Sequence, residues 1–276
     1  MSGVRLVSCP LPLLFTTLLV AFVACPAGRA SANPDADGVY VLTQPERSME
    51  QVDKAYAEIP PVRYEPPADR WQRLPHSASI LAKDAGELRV VMLGDSIVND
   101  TSRSRWDDVL QRQYPKVRIT KITVVRGGTG CWWYKEPARV ERYVLPHKPD
   151  LLVVGGISQR DDIDSIHDVV GQVRKALPDC DVLLMTGAFG PTDPRDDKQW
   201  RFDIDPKGTD YRAKLKRLSD DLHAGFLDMT AHWGRYVRDS GKELGWFKRD
   251  PIHANERGEQ VLGHILAAHL APPVGR

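Results

Sequence analysis

Beyond residue 87 the chain alternates short apolar runs with amphipathic stretches, and this alternation narrows the possible folds more than any other feature. The runs are 88–93, 117–125, 151–154, 182–185 and 226–227, each Leu-rich or β-branched and bounded by Gly, Pro or Asp. Helical patterns lie between them near 106–113, 163–177 and 211–222, and a last one spans about 255–270. Strand followed by helix, repeated, predicts a parallel sheet of about five strands with helices on both faces, an α/β/α sandwich. In such sheets function gathers at the carboxyl ends of the strands, here just after Leu93, Val125, Val154 and Met185.

The preceding stretches read differently. Arg5 gives residues 1–32 a positive start, and the apolar run 11–24 is too short and too interrupted by Pro to span a membrane. Ala30-Ser31-Ala32 is a small-residue cleavage site, so 1–32 is expected to be a signal peptide and the protein periplasmic or secreted. A competing reading makes Phe22-Val23-Ala24-Cys25 a lipobox with Cys25 as lipid anchor. Residues 33–80, rich in Pro and charge, are expected to form an extended arm with little regular structure, pinned by Tyr64 and Trp71, ahead of a domain at 81–276. Cys131 and Cys180 are expected at opposite edges of the sheet as free thiols, because a disulfide needs Cα atoms within about 7 Å. A net charge of +1 with no basic stripe argues against nucleic-acid binding.

Two segments carry recognisable chemistry. Gly94-Asp95-Ser96 follows the first run, where a serine hydroxyl stands at the top of the sheet. Asp250-Pro251-Ile252-His253 precedes the last helix. A serine is a weak nucleophile and needs a base; His is the usual one, and a carboxylate fixes its tautomer. Each segment alone also suits a helix cap. Together, in the order Ser96, Asp250, His253, they predict a catalytic triad.

These two segments resemble the first and last blocks of the SGNH (GDSL-type) hydrolases, over a span from about Leu88 to the C-terminus. The resemblance implies a three-layer, flavodoxin-like sandwich and hydrolysis of esters or thioesters. It also implies an oxyanion hole made by the backbone N–H groups of Ser96 and Gly130, with Gly128 as the fallback. The family's third block, Gly-x-Asn-Asp, is altered here to Gly156-Ile157-Ser158-Gln159, so Ser158 stands where the Asn donor belongs, with Gln159 and Arg160 as longer alternatives. Ser158 can equally cap the helix beginning near Asp161.

Trp132, Trp133 and Arg160 are candidate substrate-binding residues: aromatic faces can wall a sugar ring, or can be core. Arg126, Arg160, Lys248 and Arg249 flank the expected pocket mouth and suit an acidic substrate or are ordinary surface charge. The run 203–208 hints at a calcium loop, but Lys207 and Lys214 stand where acceptors are needed. No His spacing fits a metal, so neither metal nor cofactor is expected. The expected substrate is a small acyl ester or an O-acetylated carbohydrate. A lipase or thioesterase, an acyltransferase and a non-catalytic carbohydrate-binding relative remain alternatives.

Overall fold

A computed structural model describes residues 33–188, 190–200 and 211–273. The expected signal peptide with Cys25, and the run 203–208, lie outside these residues. The central sheet takes shape where the apolar runs predict it. Strand β1 (Tyr40–Leu42) is followed by β2 (Gly86–Gly94), β3 (Val117–Val125), β4 (Leu151–Val154), β5 (Asp181–Met185) and β6 (Gly225–Leu227). Their order is β1-β3-β2-β4-β5-β6. From β2 to β6 every pairing is parallel, and β2 and β3 stay in register from Gly86 opposite Val117 to Gly94 opposite Val125. The order reverses direction beside β2, so β2 delivers its carboxyl end to the crevice where doubly wound sheets bind ligands.

Helices cover both faces. In chain order they are α1 (Met49–Ala57), α2 (Pro75–Ala82), α3 (Ser96–Arg103), α4 (Trp106–Gln111), α5 (Cys131–Tyr134), α6 (Arg139–Tyr143), α7 (Ile163–Ala176), α8 (Asp197–Gln199), α9 (Tyr211–Asp221), α10 (Met229–Ser240) and α11 (Glu256–His269). The period-2 pattern of β2 divides the core. Leu88, Val90 and Met92 face one apolar layer with Trp106, Trp233 and Ile265. Val91 and Leu93 face the other with Tyr134, Val169 and Leu215. Among the described residues, no helix is long and apolar enough to cross a membrane.

Two expectations need correcting. Residues 33–80 are not an extended arm. Leu42 and its neighbours add an antiparallel edge to β3. Ser48 and Gln51 form a reciprocal capping box that starts α1, and Tyr56 stacks on His264 of α11 with ring centroids 3.6 Å apart. Buried Arg70 donates to the carbonyls of His269 and Ala271, both at 2.7 Å, so it satisfies orphan acceptors at the end of α11. The Tyr64 hydroxyl lies 2.9 Å from His269 Nδ1. The segment is a strap along α11. Only Val52 and Ala55 of α1 are buried, too few for a visible apolar period, although Ser48-x-x-Gln51 was a legible start signal. The cysteines, both free, are not at the sheet's edges: Cys131 opens α5 behind β3, Cys180 precedes β5, and both lie in the same apolar layer. Burial pushes both thiols up, Cys180 to about 12.

Candidate active site

The segment that carries Ser96 is built by close packing. A Cβ on Gly94 would come within 2.5 Å of Val98 Cγ2 and 2.7 Å of the Gly155 carbonyl, so only glycine lets β2 end there. Asp95 then caps α3, its Oδ1 accepting from the N–H of Ile97 at 2.9 Å. Ser96 becomes the first helical residue, and its Oγ sits 2.8 Å from His253 Nε2.

His253 and Asp250 come from one tight turn. Asp250 Oδ1 accepts the N–H groups of Ile252 and His253, both at 2.8 Å, and Oδ2 lies 2.9 Å from His253 Nδ1. These backbone N–H groups and the imidazole hold the Asp250 carboxyl well below the usual carboxylate range. An ionised carboxylate only accepts, so Nδ1 carries the proton and Nε2 accepts from Ser96. The side chains of His253 and Asp250 keep 26% and 42% of their surface, which makes the site open.

A buried ionic network supports that turn, and sequence reasoning missed it. Asp100, one turn along α3 from Ser96, accepts the Ala254 N–H at 2.9 Å and pairs with Arg249 at 3.0 Å. Arg249 also donates to the Ala254 carbonyl. Burial pushes Asp100 up to about 6, opposed by Arg249 and the Ala254 N–H. Fully buried Glu259 lies 2.6 Å from Arg47 of the strap, 3.6 Å from Arg103 and 3.7 Å from Arg249. Lys248 Nζ donates to the Pro251 carbonyl at 3.0 Å and also to the Gly190 carbonyl. The only sequence signal was Asp100 at four residues from Ser96, on the same helical face.

The loop after β4 departs from expectation. Asp95, 1% exposed, accepts the N–H groups of both Ile157 and Ser158 on Oδ2 at 2.8 Å. Gly156 adopts φ +100, and a Cβ there would lie 2.6 Å from Asp95 Oδ1. Ser158 does not cap α7; Asp162 does, accepting from the Ser165 N–H at 3.0 Å. The carbonyl of Ser158 accepts from Trp132 Nε1 at 2.9 Å. Gln159 is turned inward: its Nε2 donates to the Gly155 carbonyl and its Oε1 accepts the Cys131 N–H, both at 2.8 Å. It therefore staples the β4 loop to the β3 loop, with the donor and the acceptor of its amide both engaged by backbone groups. Gly130 packs against this staple, since a Cβ there would meet the Ser158 carbonyl at 2.6 Å. Among the described residues, the N–H groups of Ser96 and Gly130 have no acceptor.

Trp133 packs inward rather than walling a pocket. Arg139 lies 3.8 Å and Arg126 5.0 Å from its ring centroid, with Tyr134 and Tyr143 beside it. Trp132 instead carries the Arg160 guanidinium over its ring at 3.8 Å. No group of three or more metal-ligating side chains occurs among the described residues.

Residues 92–261 match the sequence profile of the GDSL-like lipase/acylhydrolase family. No curated protein matches the chain. Among solved structures, a two-domain esterase active on acetylated mannans is similar at 18% identity and TM-score 0.56, over 72% of this chain and 53% of that one. This chain thus spans about half the length of that relative. An acetylxylan esterase from Geobacillus stearothermophilus, solved as a catalytic mutant, is similar at 18% identity and TM-score 0.54, over 68% of this chain and 96% of that one.

Proposed function

The chain belongs to the GDSL-like lipase/acylhydrolase family, and we propose that it is an exported serine esterase that removes O-acetyl or other short acyl groups from carbohydrate. The observation that carries this reading is the unbroken chain from Ser96 Oγ through His253 to Asp250, at 2.8 and 2.9 Å.

Ser96 Oγ attacks the ester carbonyl while His253 Nε2 takes its proton. Asp250 holds the imidazole by Nδ1 and stabilises the cation that forms. The N–H groups of Ser96 and Gly130 receive the oxyanion, Ser96 with the added positive end of α3 behind it. His253 then gives the proton to the departing sugar hydroxyl, leaving an acyl-Ser96 ester. A water, deprotonated by His253, attacks that ester; the bond to Ser96 Oγ breaks, Oγ takes the proton back from His253 Nε2, and the acid is released. The open site suits an acyl group displayed on a bulky glycan, and the solved relatives named above act on acetylated mannans and acetylxylan. Export rests on the charged, apolar and small-residue pattern of 1–32.

Incubation with acetylated glycans and with aryl esters of increasing chain length tests the reading. The expected result is acetate release from at least one glycan, weak activity on long acyl chains, and a loss of about 10⁴-fold or more in Ser96→Ala. A folded Ser96→Ala protein with most of its activity overturns it.

A further inference from the structure

Four basic residues, Arg126, Arg160, Lys248 and Arg249, stand close in sequence to the catalytic loops. Three are consumed by the fold. Arg126 donates to the Asp37 carbonyl at 2.8 Å and to Thr129 Oγ1 at 2.7 Å. Arg249 is bound to Asp100, and Lys248 to the Pro251 and Gly190 carbonyls. Arg160 is different. It is exposed, and no carboxylate among the described residues pairs with it. The acids that follow it are engaged elsewhere: Asp161 with Lys214, and Asp162 with Ser165 at the start of α7.

The position of Arg160 is nonetheless specified. Its guanidinium lies 3.8 Å over the Trp132 ring. Trp132 is itself fixed through Nε1 to the Ser158 carbonyl, and the Ser158 N–H is tied to Asp95, the neighbour of Ser96. The pair therefore stands on the rim of the site, between the loops that follow β3 and β4. Arg160 and Asp161 adopt φ of 56° and 59°, two consecutive non-glycine residues in the left-handed region that L-residues avoid. Such backbone persists when surrounding contacts over-determine it, and it clusters at functional sites.

We propose that Arg160, mounted on Trp132, recognises a carboxylate carried by the sugar, so that the preferred substrate is an acetylated acidic carbohydrate. A guanidinium lying over an indole keeps its N–H edge open, and that planar fork matches a carboxylate in two parallel hydrogen bonds. This rests on the esterase reading above and names its substrate class.

Glucuronic acid and glucose acetylated on the same ring hydroxyl differ only at C6, carboxylate against hydroxymethyl, and comparing their hydrolysis tests the proposal. The expected kcat/KM is about tenfold higher for the acid, expressed in KM, and the advantage shrinks as salt rises. In Arg160→Gln the two substrates come within about twofold of each other, and Arg160→Lys retains part of the preference because it keeps the charge but loses the fork. Equal kcat/KM for the two esters in the unaltered protein overturns the proposal whether or not the variants fold, as does a preference that survives in Arg160→Gln. An aryl acetate separates the two levels. Its hydrolysis without any acid preference breaks this inference alone, whereas failure on all three esters breaks the esterase reading beneath it.

Discussion

The turn at 250–253 and the loop at 155–161 flank the same serine, yet they use their polar residues in opposite ways. In the turn, backbone N–H groups fold back onto Asp250, and its carboxylate then presents His253 outward to Ser96. In the loop, the backbone N–H groups of Ile157 and Ser158 run to Asp95, and Gln159 faces the interior. The turn spends its side chains on chemistry because Asp100 and Arg249 brace it from below. In the loop Asp95 takes up two backbone N–H groups and Trp132 one carbonyl, and Gln159 is spent on holding Gly155 to Cys131. A polar residue in a catalytic loop is available to substrate only when something else satisfies the local backbone.

The sharpest way to break this comparison is at the turn. Asp250→Asn keeps the shape but puts an amide where the acceptor-only carboxylate was, so Nδ1 no longer has an assured partner. A fall of about a hundredfold or more in kcat is expected with little change in Tm. Kinetics unchanged in that variant would remove His253 from the role of oriented base.

Substitutions in the loop should act through structure. Gln159→Ala leaves the buried Cys131 N–H and Gly155 carbonyl without partners, and a loss of about 2–3 kcal/mol in stability is expected, with kcat reduced as Gly130 shifts. Ser158→Ala, by contrast, should change kcat by less than about twofold, because the observed bonds of Ser158 are made by its backbone. A large kcat loss in Ser158→Ala with a stable, active Gln159→Ala would reverse the assignment and return the donor role to the serine hydroxyl.

The last effect is read only as a change with pH, and it concerns the brace. Asp100 sits at about 6 against an ordinary value of 3.8, so between those values the folded state holds a proton that the unfolded chain has released. Stability linked to this group is thus fully present below the unfolded value and is lost as pH rises through about 6. Asn at position 100 has no such titration. The stability of Asp100→Asn relative to the unaltered protein should therefore improve by on the order of 2–3 kcal/mol from acid to neutral pH. A constant offset across that range, measured by chemical denaturation, would show that Asp100 does not titrate there.

Much of the candidate site is legible in the sequence. Ser96, Asp250 and His253 were marked by spacing: a serine directly after an apolar run, and an Asp and His three residues apart in a Pro-containing turn. The aromatic and basic candidates were not resolvable. Trp132 and Trp133 are adjacent, yet one carries Arg160 at the rim and the other is wedged between Arg139 and Arg126. Adjacent residues in a short helix point about a quarter-turn apart, and which one faces out depends on neighbours supplied by distant segments. The strap was missed for the same reason: α1 is short, and its place is set by α11 some two hundred residues later.

The sequence by itself determined the parallel α/β/α sheet and the order of its strands' apolar runs, because periodicity and turn chemistry are local properties of the chain. It also determined which serine, histidine and aspartate stand at strand and helix ends. Tertiary structure alone decided that Ser158 and Gln159 serve the backbone, that Asp100, Glu259 and three arginines brace the 250–253 turn, and that Arg160 lies over Trp132 with no carboxylate among the described residues paired to it. Those outcomes depend on which buried polar groups need partners, and a buried N–H or carboxylate takes whatever donor or acceptor the packed chain brings within about 3 Å, however far away it lies in sequence.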